Sequence, residues 1–132
     1  KIKDNNLEDF FEIIDEFEGD ERHNFFKKVS LVSVPVRIGE AFGMYLLESM
    51  ASGVPVVQPS LGAFPEIVEI SGGGVNYTPN SPEKLSETWA SLLNDPEKLE
   101  KLSLAGLKGT KEKFNIHNHA EEIVGLYESF KK

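Results

Sequence analysis

No cysteine occurs anywhere in the chain. That removes disulfide staples, thiolate metal sites and a cysteine nucleophile together. No run of about 18 apolar residues is present, so no segment qualifies as a membrane-spanning helix. No signal-peptide pattern opens the sequence, which sets the expectation of a cytoplasmic protein. Positive charge is scarce: 14 Lys and Arg stand against 22 Asp and Glu, a formal net charge of −8. A nucleic-acid surface needs a basic face to displace phosphate counterions. Lysines do gather at 98–113, but glutamates run among them and the segment reads as a solvated helix face. Nucleic acid and anionic membrane are therefore argued against as general partners. A small anion is not, because a few backbone amides bind one whatever the net charge. The chain also lacks an initiating methionine; its first residue is Lys1, which suggests a piece of a longer protein.

What is present is enough for one globular domain. At 132 residues, folding buries roughly two thirds of the unfolded surface, and 39% hydrophobic with 27% charged residues is an ordinary globular balance. Leu7, Phe10, Phe11 and Ile14 recur at helical spacing and predict a helix over 5–15. Residues 17–19 read as a short strand, and "DERHNFFKK" at 20–28 as a helix. "SLVSVP" at 30–35 reads as a buried strand ending at Pro35. A loop follows to Ala41, then a helix over 42–52 stopped by Gly53. "VPVVQP" at 54–59 is the next strand, 62–70 a turn and short helix carrying Pro65 in its first turn, and 72–78 a turn and strand. Ser81 with Pro82, and Asp95 with Pro96, each give an N-cap followed by a first-turn proline. They start helices that carry Leu85, Trp89, Leu92 and Leu93, and then run to about Phe114. Asn115 caps a last helix with Ile116, Ala120, Ile123, Val124, Tyr127 and Phe130 apolar. Strands alternating with helices predict an α/β fold: a Rossmann-like parallel sheet flanked by helices, with a helical C-terminal tail.

The chemistry concentrates in "GEAFGMYLLESMASGVP", residues 39–55. Glu40 and Glu48 stand in an otherwise small and apolar stretch, eight positions apart. In a parallel α/β sheet, ligands bind beyond the carboxyl ends of the strands. The loop 35–41 leaves such an end, and the following helix opens with unpaired amides and a partly positive dipole end. Gly43 lets backbone approach a ligand closely. A carboxylate accepts hydrogen bonds from two hydroxyls at once. A diphosphate flanked by sugar hydroxyls would use all of these groups, with both carboxylates expected to point into one cleft beside the amides of Phe42 and Gly43. On spacing alone, a solvated helix residue and a loop residue are the favoured account of the two glutamates, since such a pair is common by accident.

Residues 33–69, "SVPVRIGEAFGMYLLESMASGVPVVQPSLGAFPEIVE", resemble the donor-binding signature of retaining GT-B glycosyltransferases of the group 1, glycogen-synthase-like family. The elements are Glu40-Ala41-Phe42-Gly43, Glu48, Ser52-Gly53, Val54-Pro55-Val56-Val57 and Gly62 to Glu66, in that order. The helical region 81–130 is similar to the family's C-terminal end. The resemblance implies a single, partial C-terminal nucleotide-sugar-binding domain over 1–132. It implies Glu40 as the catalytic-site carboxylate, positioning the hydroxyls of the donor sugar. Ala41, Phe42 and Gly43 would bind sugar or phosphate through their amides, and Glu48 the ribose hydroxyls. The implied donor is a nucleotide diphosphate-sugar, with no metal and no cofactor. Stabilisation of the leaving diphosphate is the expected source of rate.

Three departures from the family pattern carry consequences. Ala41 stands where glycine is usual, and its methyl group narrows the site. Val36 replaces a common serine. The family's diphosphate-binding Arg and Lys lie well upstream, and no counterpart occurs among the 39 residues before Glu40; Arg37 is the nearby cation. The acceptor-binding N-terminal domain is absent too, so the chain alone is expected to be inactive. Its last helix should then show an apolar face through which two copies could dimerise. The alternative reading is a non-catalytic α/β binding or interaction module with a degenerate anion site. Weaker signals read as structure. His117 and His119 at i and i+2 do not face one another. Gly72-Gly73-Gly74 is a turn. Trp89 is a core candidate, and Ser33 and Ser60 lack a nucleophile-elbow context.

Overall fold

The computed structural model describes residues 2–14 and 19–131. At its centre lies β1 (Val56–Pro59), every residue of which is buried. It pairs in parallel with β2 (Gly74–Tyr77), Val56 opposite Gly74 and Pro59 opposite Tyr77. On the other side of β1, Val32 forms a parallel bridge to Val56. The Val32 amide donates to Pro55 O at 2.9 Å and the Val57 amide donates to Val32 O at 2.9 Å. The strand expected over 30–35 is thus reduced to one bridge, half-buried rather than buried, with Pro35 exposed. The ladder stops because the next donor, the Val34 amide, goes to the side-chain Oε1 of Gln58 at 3.3 Å. The parallel arrangement of this segment with β1 is as expected.

Alternation along β1 sends successive side chains to opposite faces. Val56 joins Leu46 and Met50 of α2 (Met44–Ala51) and Phe64, Ile67 and Val68 of α3 (Phe64–Ser71) in one core cluster. Val57 joins Tyr77 and Leu92 in a second, against which Leu85, Leu99 and Leu102 pack. Leu85 and Leu92 belong to α4 (Pro82–Leu93), and Leu99 and Leu102 to α5 (Pro96–Lys113). The sheet is therefore covered by helices on both faces, as an all-parallel sheet requires. Helix α5 also packs against α2 and α3. This architecture matches the expected α/β fold.

Local signals set the helix ends. The Ser81 hydroxyl accepts from the Lys84 amide at 3.2 Å, Asp95 from the Lys98 amide at 3.0 Å and Asn115 from the His117 amide at 2.9 Å. Each satisfies one of the unpaired amides of a first helical turn. Helix α2 ends in a Schellman turn: Val54 N bonds Ser49 O and Gly53 N bonds Met50 O, both at 3.0 Å. The triple glycine is a turn leading into β2. A side chain on Gly73 would lie 2.5 Å from Gly106 Cα and 2.6 Å from Met50 Sδ, so close packing accounts for that residue.

Two expectations fail. Residues 5–14 form no α-helix: Lys3–Asn5 and Glu8–Phe10 are single 3₁₀ turns, and Phe11 is extended. Asn6 sits between them at φ 52°, in the left-handed region that asparagine tolerates. Phe10 is 81% and Phe11 55% exposed, so among the described residues the periodic apolar face is left largely uncovered and a short helix gains little support. The proposed strand over 17–19 falls mostly outside the described residues. Trp89 and Leu93 lie at the surface rather than in the core. Helix α1 (Asp20–Phe26) forms as expected and is anchored by buried Phe26. Helix α6 (Ile116–Ser129) shows the anticipated exposed apolar face, with Ile123, Val124 and Tyr127 at the surface.

Candidate functional site

The loop 35–43 leaves the carboxyl end of the Val32 segment and runs into α2. Two positions need glycine. Gly43 precedes α2 at φ 85°, a conformation unfavourable to side-chain-bearing residues. This is why the helix starts at Met44, two residues later than the sequence predicts. A Cβ on Gly43 would meet Phe64 Cε1 at 3.2 Å, Glu40 Cγ at 3.4 Å and Tyr45 Cζ at 3.4 Å. Gly43 therefore lies wrapped between Glu40, Tyr45 and Phe64. Gly62, at φ 54°, is pressed against the backbone nitrogen and oxygen of Glu40, and any side chain there would collide with both. The Glu40 carbonyl accepts from the Ala63 amide at 3.0 Å. The loop carrying Glu40 is thus clamped to the turn that starts α3.

At the other end of the loop, Asn80 Nδ2 donates to Val36 O at 2.9 Å, and the Tyr77 hydroxyl donates to Asn80 Oδ1 at 3.4 Å. Glu40 Oε1 accepts from the Ala41 amide at 3.1 Å. Among the described residues, the backbone amides of Phe42 and Gly43 make no hydrogen bond, and no side chain caps α2. Those donors stand at the positive end of the helix dipole. Ala41 and Phe42 are exposed, Gly43 is buried and Glu40 is half-buried. Arg37 is exposed.

The ring of Tyr45 lies edge-on to Phe64, centroids 6.5 Å apart. Its hydroxyl is buried without a protein partner. Burial, and secondarily the charge of Glu40, raise its pKa; burial alone raises that of Tyr77. A raised pKa means that the folded state holds the proton more tightly than the unfolded one. The stabilising contribution is complete below the ordinary tyrosine value of about 10 and is lost as pH rises through the folded values. The urea midpoint should consequently fall as pH rises above about 10, and Tyr45→Phe should make that fall shallower. An equal slope in the variant would show that Tyr45 does not drive it.

Glu48 stands one turn beyond Met44 on the same face of α2. Its Oε1 accepts from Arg22 Nη1 at 2.9 Å. It lines two concavities. One, of about 480 Å³, lies between α2 and α5 and includes Met44, Leu47, Lys111 and Phe114. The other, of about 270 Å³, includes Gly19, Arg22, His23, Phe26 and Ser52. Glu40 lines neither, so the expectation of one cleft lined by both carboxylates is not met at either concavity. Arg22 draws Glu48 towards α1, whereas Glu40 is held towards α3. Arg22 and Asn80 give no signal in the sequence, and Gly62 is marked there only as the first residue of the turn 62–66, not as a contact of Glu40. His117 and His119 are exposed, and among the described residues no cluster of His, Asp and Glu could hold a metal ion.

Comparison with known proteins defines the class. The family described as glycosyl transferases group 1 matches residues 1–109, and the chain belongs to it. A lipopolysaccharide core biosynthesis mannosyltransferase of Rhizobium meliloti is 34% identical over 110 residues, 80% of this chain and 30% of the mannosyltransferase. The chain thus spans less than a third of that relative's length. The solved sucrose-phosphate synthase of Thermosynechococcus elongatus superposes with a TM-score of 0.84 at 23% identity, over 97% of this chain and 32% of that one. HepE of Anabaena, solved in complex with UDP-glucose, gives a TM-score of 0.83 at 22% identity, over 98% and 35%. The C-terminal domain of a group 1 glycosyl transferase from Francisella tularensis gives 0.72 at 24% identity, over 87% and 59%. The fold is that of the C-terminal domain of GT-B glycosyltransferases. No helix among the described residues is long and apolar enough to cross a membrane.

Proposed function

We propose that the chain is a single, partial GT-B C-terminal domain that binds the nucleotide diphosphate-sugar donor of a retaining, cytoplasmic glycosyltransferase. The full-length enzyme moves the sugar to a glycan or another acceptor. The observation that carries this reading is the clamp on Glu40: its backbone is held by the close approach of Gly62 and the bond from the Ala63 amide, and its carboxylate accepts from the Ala41 amide beside the free amides at the start of α2. A merely solvated loop glutamate needs no such fixation. Under this reading Glu40 contacts hydroxyls of the donor sugar, and the amides of Phe42 and Gly43 meet the sugar or the diphosphate. Glu48 receives the ribose hydroxyls. Charge developing on the leaving diphosphate is met by oriented donors, which cost no reorganisation during the reaction. HepE supports the donor class, since it was solved with UDP and with UDP-glucose.

The 132-residue chain alone transfers no sugar under this reading, because the basic pair of the family's diphosphate motif has no counterpart in it. It should still bind the donor weakly. Ligand-observed NMR with UDP, GDP and their glucose and mannose conjugates should show millimolar binding, an affinity of about 4 kcal/mol, without product. Absence of any diphosphate signal would overturn the site. Robust turnover would show that other residues carry the chemistry.

A further inference from the structure

We infer that Arg22 is a positioning residue for the donor, holding one oxygen of Glu48 so that the other is presented to the ribose hydroxyls. The inference rests on the reading of Glu48 given above. The Arg22–Glu48 contact joins α1 to α2 across 26 residues of sequence at 2.9 Å, the distance of a charge-assisted hydrogen bond. It uses Oε1 alone. A carboxylate has about four acceptor sites over its two oxygens, so Oε2 stays open for a diol.

Local structure aims Arg22 at this task. It lies one turn before Phe26 on α1, and residues four apart share a helix face. Phe26 is buried and fixes which face of α1 looks inward. Arg22 and Phe26 line the same concavity of about 270 Å³ as Glu48. The Glu48 side chain is 36% exposed, so packing alone does not lock its rotamer. Arg22 supplies that restraint. An exposed ion pair contributes little to folding, so its removal should leave the fold intact.

The test uses this chain, with its amide NMR spectrum as the check that each variant remains folded. UDP and GDP are titrated, each beside its 2′,3′-dideoxy form. Wild type should prefer the ribonucleotide. Arg22→Gln should weaken binding of the ribonucleotide by about 3- to 10-fold, the loss of a modest hydrogen-bonding advantage, and leave the dideoxy form unchanged. Arg22→Lys should recover part of the loss, and Glu48→Gln should cost nothing more once Arg22 is Gln. If Arg22→Gln keeps the full ribose preference or binds more tightly, Arg22 has no positioning role while the reading of Glu48 stands. If wild type shows no ribose preference, or binds neither diphosphate, the reading of Glu48 itself fails.

Discussion

Phe64→Ala is expected to lower the unfolding free energy by about 3–5 kcal/mol, the range for emptying a buried aromatic site. Phe64 has no exposed surface. It packs with Leu46, Met50, Val56, Ile67 and Val68, and partly buried Tyr45 and Val36 close around that cluster. Typical domains have about 5–15 kcal/mol in total, so this loss is a large fraction of the reserve. The consequence extends to function because of where the ring lies. Its Cε1 would stand 3.2 Å from a Cβ on Gly43, so it is the surface on which the Gly43 backbone rests. Truncation removes the support beneath the amides at the start of α2. Urea unfolding measures the first effect, and the NMR titration measures the second as weaker diphosphate binding. Phe64→Leu, closer in volume, should cost much less on both counts. A small stability loss in the alanine variant would mean that α2 and α3 can close the gap, and that Gly43 is held from elsewhere.

How much of this was readable in advance depends on how far apart the interacting groups are in sequence. The starts of α4, α5 and α6 were legible because Ser81, Asp95 and Asn115 each act on an amide two or three residues away. The end of α2 was legible for the same reason: Gly53 and its two reversed bonds are a local device. The order of strands and helices followed from hydrophobic pattern and turn residues. The region 5–14 was misread because periodicity at Leu7, Phe10, Phe11 and Ile14 states only that a helix would have an apolar face. It cannot state that a surface exists to cover that face. Residues 30–35 carry strand-like composition, but a ladder also needs partners, and Gln58 takes the Val34 amide from 24 residues away.

The site divides along the same line. Glu40, Gly43 and Glu48 announced themselves as a loop, a helix start and a helix face within one short segment. What fixes them did not. Gly62 holds Glu40 from the next turn, Asn80 reaches Val36 across 44 residues, and Arg22 reaches Glu48 across 26. Each of these is a common surface residue type, and only the fold gives it a partner. The expectation of a shared cleft treated the two carboxylates as neighbours on one wall. In the structure they are restrained in different directions, by α3 and by α1.

Separate restraint predicts separate kinetic effects. In the full-length enzyme, Glu40→Gln should mainly lower kcat. Under the proposed reading Glu40 touches the sugar that moves, and a contact that strengthens at the transition state shows in kcat. Glu48→Gln should mainly raise the donor KM. Under the same reading its ribose contact lies away from the reacting carbon and would hold ground state and transition state alike, which is uniform binding. Each substitution removes a charge-assisted hydrogen bond worth about 1.5–3 kcal/mol, or roughly 10- to 100-fold in the affected constant. The fold should survive both, since Glu40's backbone bond to Ala63 is untouched and the Arg22–Glu48 pair is exposed. Donor-saturation kinetics at fixed acceptor separate the two constants. Equal falls in kcat for both variants would place Glu48 at the reacting centre. A KM effect without a kcat effect at Glu40 would reduce it to a binding contact, and the clamp by Gly62 would then serve affinity rather than the chemical step.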